Sequence, residues 1–459
     1  MATDTDQDSS GSHLRARVAA EMPRVRRDLE DLVRIQSVSA DPSRFDEVRR
    51  SGDATAALFR DEGFDVQTII SEGGQPAIVA RKTGPSGSPT VLLYAHHDVQ
   101  PEGDHAAWIS EPFDPTERDG RLFARGAADD KAGIAAHLAA VRAHGDDLPV
   151  NVTVFVEGEE EVGSPTLATL LADHHELLRS DVIIIADSTN WAVGRPALTT
   201  SLRGLVDCVV EVRTLNHGVH SGMWGGVVPD ALTSLARLLA TLHDDEGNVA
   251  VVGLASGTAS SLDYPESSLR RDSGILDGVE LYGSGSIVDR LWIKPAIAVI
   301  GLDATKVDDA SNTLIPAARA KISLRLAPGD EAGAALIRLR EHLVNHAPWG
   351  ALVSVEDGEI GQPFAIDAHG PAYDAARDAF REAWDGTAPV DIGVGGSIPF
   401  IAAFAERFPE AAILVTGVED PDTRAHGANE GLHLAEFQRV CLAEALLLAK
   451  LAKLAKLTD

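Results

Sequence analysis

The sequence predicts an α/β protein of two domains, a parallel-sheet domain interrupted by an inserted α+β domain. Three observations carry this. The chain has 459 residues, beyond the roughly 250–300 at which a single core stops growing. Short apolar runs at 91–94, 150–156 and 181–186 read as strands buried on both faces of a parallel sheet, and each stops at His, Asp or Glu. From residue 201 the pattern changes to alternating strands and Gly-rich loops, and the helix-and-strand grammar returns at Pro371. The expected boundaries are a disordered tail over 1–13, the first domain over 14–201 and 366–459, and the insertion over 202–365.

Composition narrows the function classes. Lys and Arg total 40 against 70 Asp and Glu, a formal net charge of −30. Phosphate neutralisation needs a basic surface, so nucleic acid is excluded as a partner, and so is an anionic membrane. There is no apolar run of ~18–20 residues to span a bilayer. The first twelve residues are polar, with no apolar core of a signal peptide. Cys208 and Cys441 are too few for a disulfide scaffold or a cysteine metal site. A cytoplasmic protein is the expectation, with both thiols buried as small hydrophobes.

Taken in order, residues 14–35 carry apolar positions at helical spacing, and residues 54–62 read as a second helix. Strands are expected at 64–70 and 77–80. The strand at 91–94 runs straight into Ala95-His96-His97-Asp98-Val99-Gln100-Pro101. In continued strand geometry His96 and Asp98 project to one side and His97 to the other. A ligating histidine needs its second ring nitrogen oriented, and a carboxylate commonly does this. His97 reads as structural or exposed.

Arg125-Gly126-Ala127-Ala128-Asp129-Asp130-Lys131 opens a helix over 134–144. Acids at a helix start suit the positive end of its dipole, and the alternative is that Asp129 ligates metal. The strand at 150–156 ends in Glu157-Gly158-Glu159-Glu160-Glu161. Adjacent carboxylates raise one another's pKa. A divalent cation offsets that cost, and a carboxylate left beside it can hold a proton from water; a solvated acidic turn is the competing reading. Residues 166–178 read as helical, and the strand at 181–186 ends in Asp187. Sites in open parallel sheets form at the carboxyl ends of strands, so the repeated placement points to one composite site. In the insertion, strands are expected at 205–212 and 318–326 and helices at 231–243 and 331–346, with 247–291 irregular. The closing helix, 436–457, reads as core-facing.

With Ala425-His426-Gly427-Ala428-Asn429-Glu430, these motifs resemble the M20 metallopeptidases, within them the carnosinase-like and cytosolic non-specific dipeptidases. The resemblance spans roughly residues 20–440. It implies a phosphorylase/hydrolase-like catalytic domain with an inserted lid and dimerisation domain. It implies two divalent metals per subunit, zinc or else manganese, one held by His96, Asp129 and Asp187, the other by Asp129, Glu161 and His426, with Asp129 bridging. Glu160 would be the general base for a water at the metals, and Asp98 would orient His96. His220, in a Gly-rich loop, matches a histidine that reaches the partner subunit's site of a homodimer built through 202–365. Arg325, Thr313 and Ser397 match substrate-recognition positions, Arg325 for a terminal carboxylate. Ala95 and Ala132 stand where the family usually has Gly, and both are small. His369 lies near a further substrate histidine of the family with its spacing off by a residue, and is left out of the site.

The expected function is hydrolysis of dipeptides or short peptides with a free C-terminal carboxylate. Deacylation of N-acyl amino acids would use the same metals and base and is the alternative. A non-catalytic binding protein is disfavoured by the intact ligand set with Glu160. A serine hydrolase lacks its Gly-x-Ser-x-Gly elbow.

Overall fold

The computed structural model describes residues 4–257, 262–395 and 399–454. The chain folds as two compact units, one of Met1–Thr200, Asp367–Ile392 and Ala403–Asp459, the other of Ser201–Ile366 and Gly393–Ala402.

In the first unit the strands lie in the order Asp65–Ile69, Ala77–Lys82, Asn151–Glu157, Thr90–His96, Val182–Ile185, Ala412–Val415, Ala197–Leu202. Four of them are mutually parallel: Thr90–His96 lies between Asn151–Glu157 and Val182–Ile185, and Ala412–Val415 follows. The outer strands are antiparallel. The parallel strands are almost wholly buried, as an apolar run covered on both faces must be. Their carboxyl ends share one edge, so His96 pairs in register with Glu157, and Asp187 follows Ile185 closely.

The helix Lys131–His144 is buried along its entire length, consistent with its Ala-rich sequence that is apolar on nearly every side. It packs between Asp4–Val33 and the closing helix Leu434–Leu451. The latter buries Phe437, Val440, Cys441 and Leu447, so it is core-facing as its sequence suggests. Two expectations need correction. The tail over 1–13 is helical from Asp4: once Leu14, Val18 and Val25 are docked in the core, extending an existing helix costs little compared with nucleating one. The second helix starts at Phe45 rather than near Ala54.

The second unit has a four-stranded antiparallel sheet in the order Ala296–Asp303, Ala317–Leu326, Gly204–Arg213, Leu352–Gly361. Alternate residues Val206, Cys208, Val210 and Val212 face a core shared with Leu235 and Leu339 of the helices Ala231–Ala240 and Ala332–Asn345. The stretch 247–291, expected to be irregular, contains the helices Glu266–Ser273 and Ile287–Trp292. A Ser286–Asp289 capping box starts the second of these. Among the described residues no helix is long and apolar enough to cross a membrane.

Candidate active site

The carboxyl edge of the parallel strands gathers His96, Asp98, Asp129, Glu160, Glu161, Asp187 and His426. Each arrives for a local reason. His96 and Asp98 leave the end of Thr90–His96. The His96 ring is fully buried, with Nδ1 3.1 Å from the Asp98 carbonyl and 3.4 Å from its Oδ1. That leaves Nε2 aimed at Asp129 Oδ1, 3.1 Å away, and Asp187 Oδ2, 4.0 Å away. His97 points the other way and is buried, its Nε2 2.8 Å from the Pro76 carbonyl.

Asp98 does more than orient a ring. Its carboxylate accepts the hydroxyl of Ser39 at 2.6 Å and the backbone N–H groups of Glu160 and Glu161 at 3.2 and 3.1 Å. One side chain therefore fixes both His96 and the start of the Glu turn. Gln100 then fixes Glu161, donating to its Oε1 and Oε2 at 3.0 and 2.8 Å. Glu157 turns inward instead, accepting from the Tyr94 hydroxyl.

Asp129 presents its two oxygens to two different partners. Oδ1 faces His96, and Oδ2 lies 2.9 Å from His426 Nε2. His426 is also 3.4 Å from Glu161 Oε2. It sits in a loop where Arg424, His426 and Asn429 all adopt positive φ, a costly conformation for residues with a Cβ. Asn429 holds this loop by accepting from the Ile109 N–H and donating to the Ala107 carbonyl, both at 2.8 Å.

The electrostatics are those of an acid cluster short of positive charge. Burial pushes Glu161 and Asp187 well above the usual carboxylate range, and neighbouring Asp129 adds to it. Glu160 is raised to about 6 by burial, with the charges of Asp98 and Asp129 adding to the effect against His96. Asp129 is held low: burial opposes ionisation, but hydrogen bonds from His426 and His96 outweigh it. His426 is raised chiefly by its hydrogen bond to Asp129.

Sequence reasoning gave no role to Asp130, Gln100, Glu419 and Glu430. Asp130 opens the helix Lys131–His144 but makes no side-chain cap bond. Its Oδ2 accepts the His96 N–H at 3.2 Å, and its Oδ1 is buried without a partner. Burial pushes Asp130 and Glu419 well above their usual values.

The donor set fits divalent cations. Two donors on one tetrahedral ion at about 2.1 Å lie about 3.4 Å apart, and the separations of 2.9–4.0 Å bracket that value. His96 with Asp129 and Glu161, and His96 with Asp130 and Asp187, each bring their ligand atoms within 4.8 Å of one another.

The model of peptidase family M20/M25/M40 matches residues 92–450. The chain belongs to that family. It is 35% identical over 430 residues to a cysteinylglycine-S-conjugate dipeptidase of Corynebacterium striatum, covering 92% of this chain and 94% of that protein. A β-Ala-His dipeptidase of Rattus norvegicus is 29% identical, over 90% and 85% of the two chains. Human carnosine dipeptidase 1 superposes with a TM-score of 0.82 at 25% identity, covering 97% and 99%. This M20 chain is thus a metallopeptidase matched along nearly its whole length.

Three further candidates of this M20 chain, His220, Thr313 and Arg325, lie in the second unit. His220 pairs with Thr313 in a two-residue ribbon. The exposed His220 ring accepts the Gly222 N–H on Nδ1 at 3.0 Å, which puts its proton on Nε2 as a donor. Arg325 is half-buried on Ala317–Leu326. Ser397 lies outside the described residues.

Proposed function

We propose that this chain hydrolyses dipeptides with a free C-terminal carboxylate, using two divalent cations, zinc or manganese, and Glu160 as general base. The observation that carries this is the split of Asp129, one carboxylate oxygen toward His96 and the other toward His426. A shared carboxylate between two nitrogen donors is what a paired-ion site needs. When bound, two such ions polarise the scissile carbonyl and lower the pKa of water.

The chain's own residues do the rest. His96 and Asp187 would hold one ion, Glu161 and His426 the other, and Asp129 would serve both. Asp98 locks the His96 tautomer and the backbone of Glu160. Glu160 is not needed as a ligand, and its carboxyl, beside the ligand Glu161, would accept a proton from water and return it to the leaving amine. In the second unit, Arg325 would take the terminal carboxylate in a bidentate pair. Thr313 and Ser397 would contact the substrate. His220 would donate from Nε2 to the developing oxyanion of the partner subunit's site in a homodimer built through 202–365. The reading places the enzyme in the cytoplasm.

The test is turnover of a panel of dipeptides and N-acetyl amino acids, with metal content measured on the same sample. Dipeptide hydrolysis with two ions per chain is expected. Activity confined to N-acetyl amino acids would replace the peptidase reading by the deacylase one.

A further inference from the structure

A cavity of about 560 Å³ lies wholly within the second unit. Its wall contains Arg203, Arg290, Lys294 and the ring of His243, and no carboxylate among the described residues. None of the residues assigned to the reaction lines it.

The three cations are held by backbone carbonyls rather than by acids. Arg203 Nη1 donates to the Arg290 carbonyl at 3.3 Å, Arg290 Nη1 to the Tyr282 carbonyl at 2.9 Å, and Lys294 Nζ to the Ser284 carbonyl at 2.6 Å. Carbonyl oxygens satisfy N–H groups but carry no formal charge of their own to set against the cations. Arg203 Nε and His243 Nε2 are buried with no hydrogen-bond partner. Burial and the neighbouring charge of Arg325 bring the Arg203 guanidinium down to about 10. Positive charges gathered around one cavity raise one another's cost, and in a chain of net charge −30 acids to pair them are abundant elsewhere. Much of the remaining wall is apolar, with Val251 and Ile297 among its buried parts.

We propose that this cavity binds an organic anion, its carboxylate taken by Arg203, Arg290 and Lys294 and its short apolar body lying on Val251 and Ile297. Arginine suits the acid because its planar fork meets both carboxylate oxygens. His243 Nε2 supplies a further polar contact. A bare phosphate would satisfy the cations but not the apolar wall, so chain length separates the two ligands.

The experiment is isothermal titration of the full-length, metal-loaded protein with hexanoate, butanoate and inorganic phosphate, joined to crystals soaked in 6-bromohexanoate. Hexanoate is expected to bind saturably and about fifteenfold more tightly than butanoate, since each buried methylene contributes about fourfold. Lys294→Met and Arg203→Gln should each weaken hexanoate at least tenfold. The bromine signal should fall in this cavity. Phosphate binding tighter than hexanoate would overturn the proposal, as would affinity independent of chain length or bromine found only beside the metal residues. Lys294 is only half-buried, so Lys294→Met decides the matter if Arg203→Gln fails to fold; unaltered hexanoate binding in a normally melting Lys294→Met protein contradicts the proposal.

Discussion

The carboxylate of Glu430 accepts the backbone N–H of Asp129 at 3.1 Å. It also accepts from Ala128 at 2.8 Å, Gly126 at 2.9 Å and the Arg125 guanidinium at 2.7 Å. Glu430 follows His426 by four residues, so one fully buried acid joins the loop carrying Asp129 to the loop carrying His426. The facing of Asp129 Oδ2 and His426 Nε2 depends on that join.

Glu430→Gln keeps the shape and removes the charge that Arg125 and three N–H groups share. Breaking a buried pair leaves the partner charge uncompensated and costs about 3–5 kcal/mol. The expected result is a lower melting temperature together with weaker metal retention in chelator competition. A variant that melts lower but holds both ions as tightly as wild type would limit Glu430 to general stability.

Asp129→Ala removes the carboxylate facing both histidines. Metal analysis should then find fewer than two ions per chain after dialysis. Two retained ions would rule out the bridge.

Much of the fold class was legible because buried parallel strands have a plain signature, apolar runs such as 181–186 stopping at an acid. The period of two along a strand was enough to put His96 and Asp98 on one side and His97 on the other. Glu430 and Arg125 stood inside recognised motifs, yet their pairing spans 305 positions and no local pattern reveals it. Both segments are rich in charged and polar residues, so the sequence shows that buried charges there must find partners but not which ones pair. Gln100 was hidden for the same reason. The strand Leu352–Gly361 escaped because Asp357 and Gly358 break its alternation, where the register with Gly204–Arg213 shifts. It is an edge strand, and edges tolerate such polar breaks.

A second buried pair gives a pH prediction away from the site. His137 Nδ1 lies 2.8 Å from Glu444 Oε1, joining the helices Lys131–His144 and Leu434–Leu451. Burial works against a charge on His137, but the charge and hydrogen bond of Glu444 outweigh it and raise its pKa. A raised histidine contributes stability that is fully present below the unfolded value of about 6.5 and is lost as pH rises through the folded value. Wild type should therefore exceed Glu444→Gln by about 2 kcal/mol near pH 6, and the gap should narrow toward pH 9. Paired melting curves with a constant gap over that range would contradict the assignment.

His220 is testable by complementation. Mixed under subunit exchange, His220→Ala and Glu160→Ala, each expected to be inactive alone, should regain part of the activity, because one site in the heterodimer has both residues. Confirmed exchange without activity, or an active monomer, would exclude the trans role.

The central claim is that Glu160 moves the proton while His96, Asp129, Asp187, Glu161 and His426 hold two ions. Its most direct test is Glu160→Gln, with dipeptide turnover and metal content measured on one preparation. The account predicts two ions per chain and a rate reduced ~10²–10⁴-fold. Near-wild-type turnover, or loss of an ion along with the activity, would contradict it.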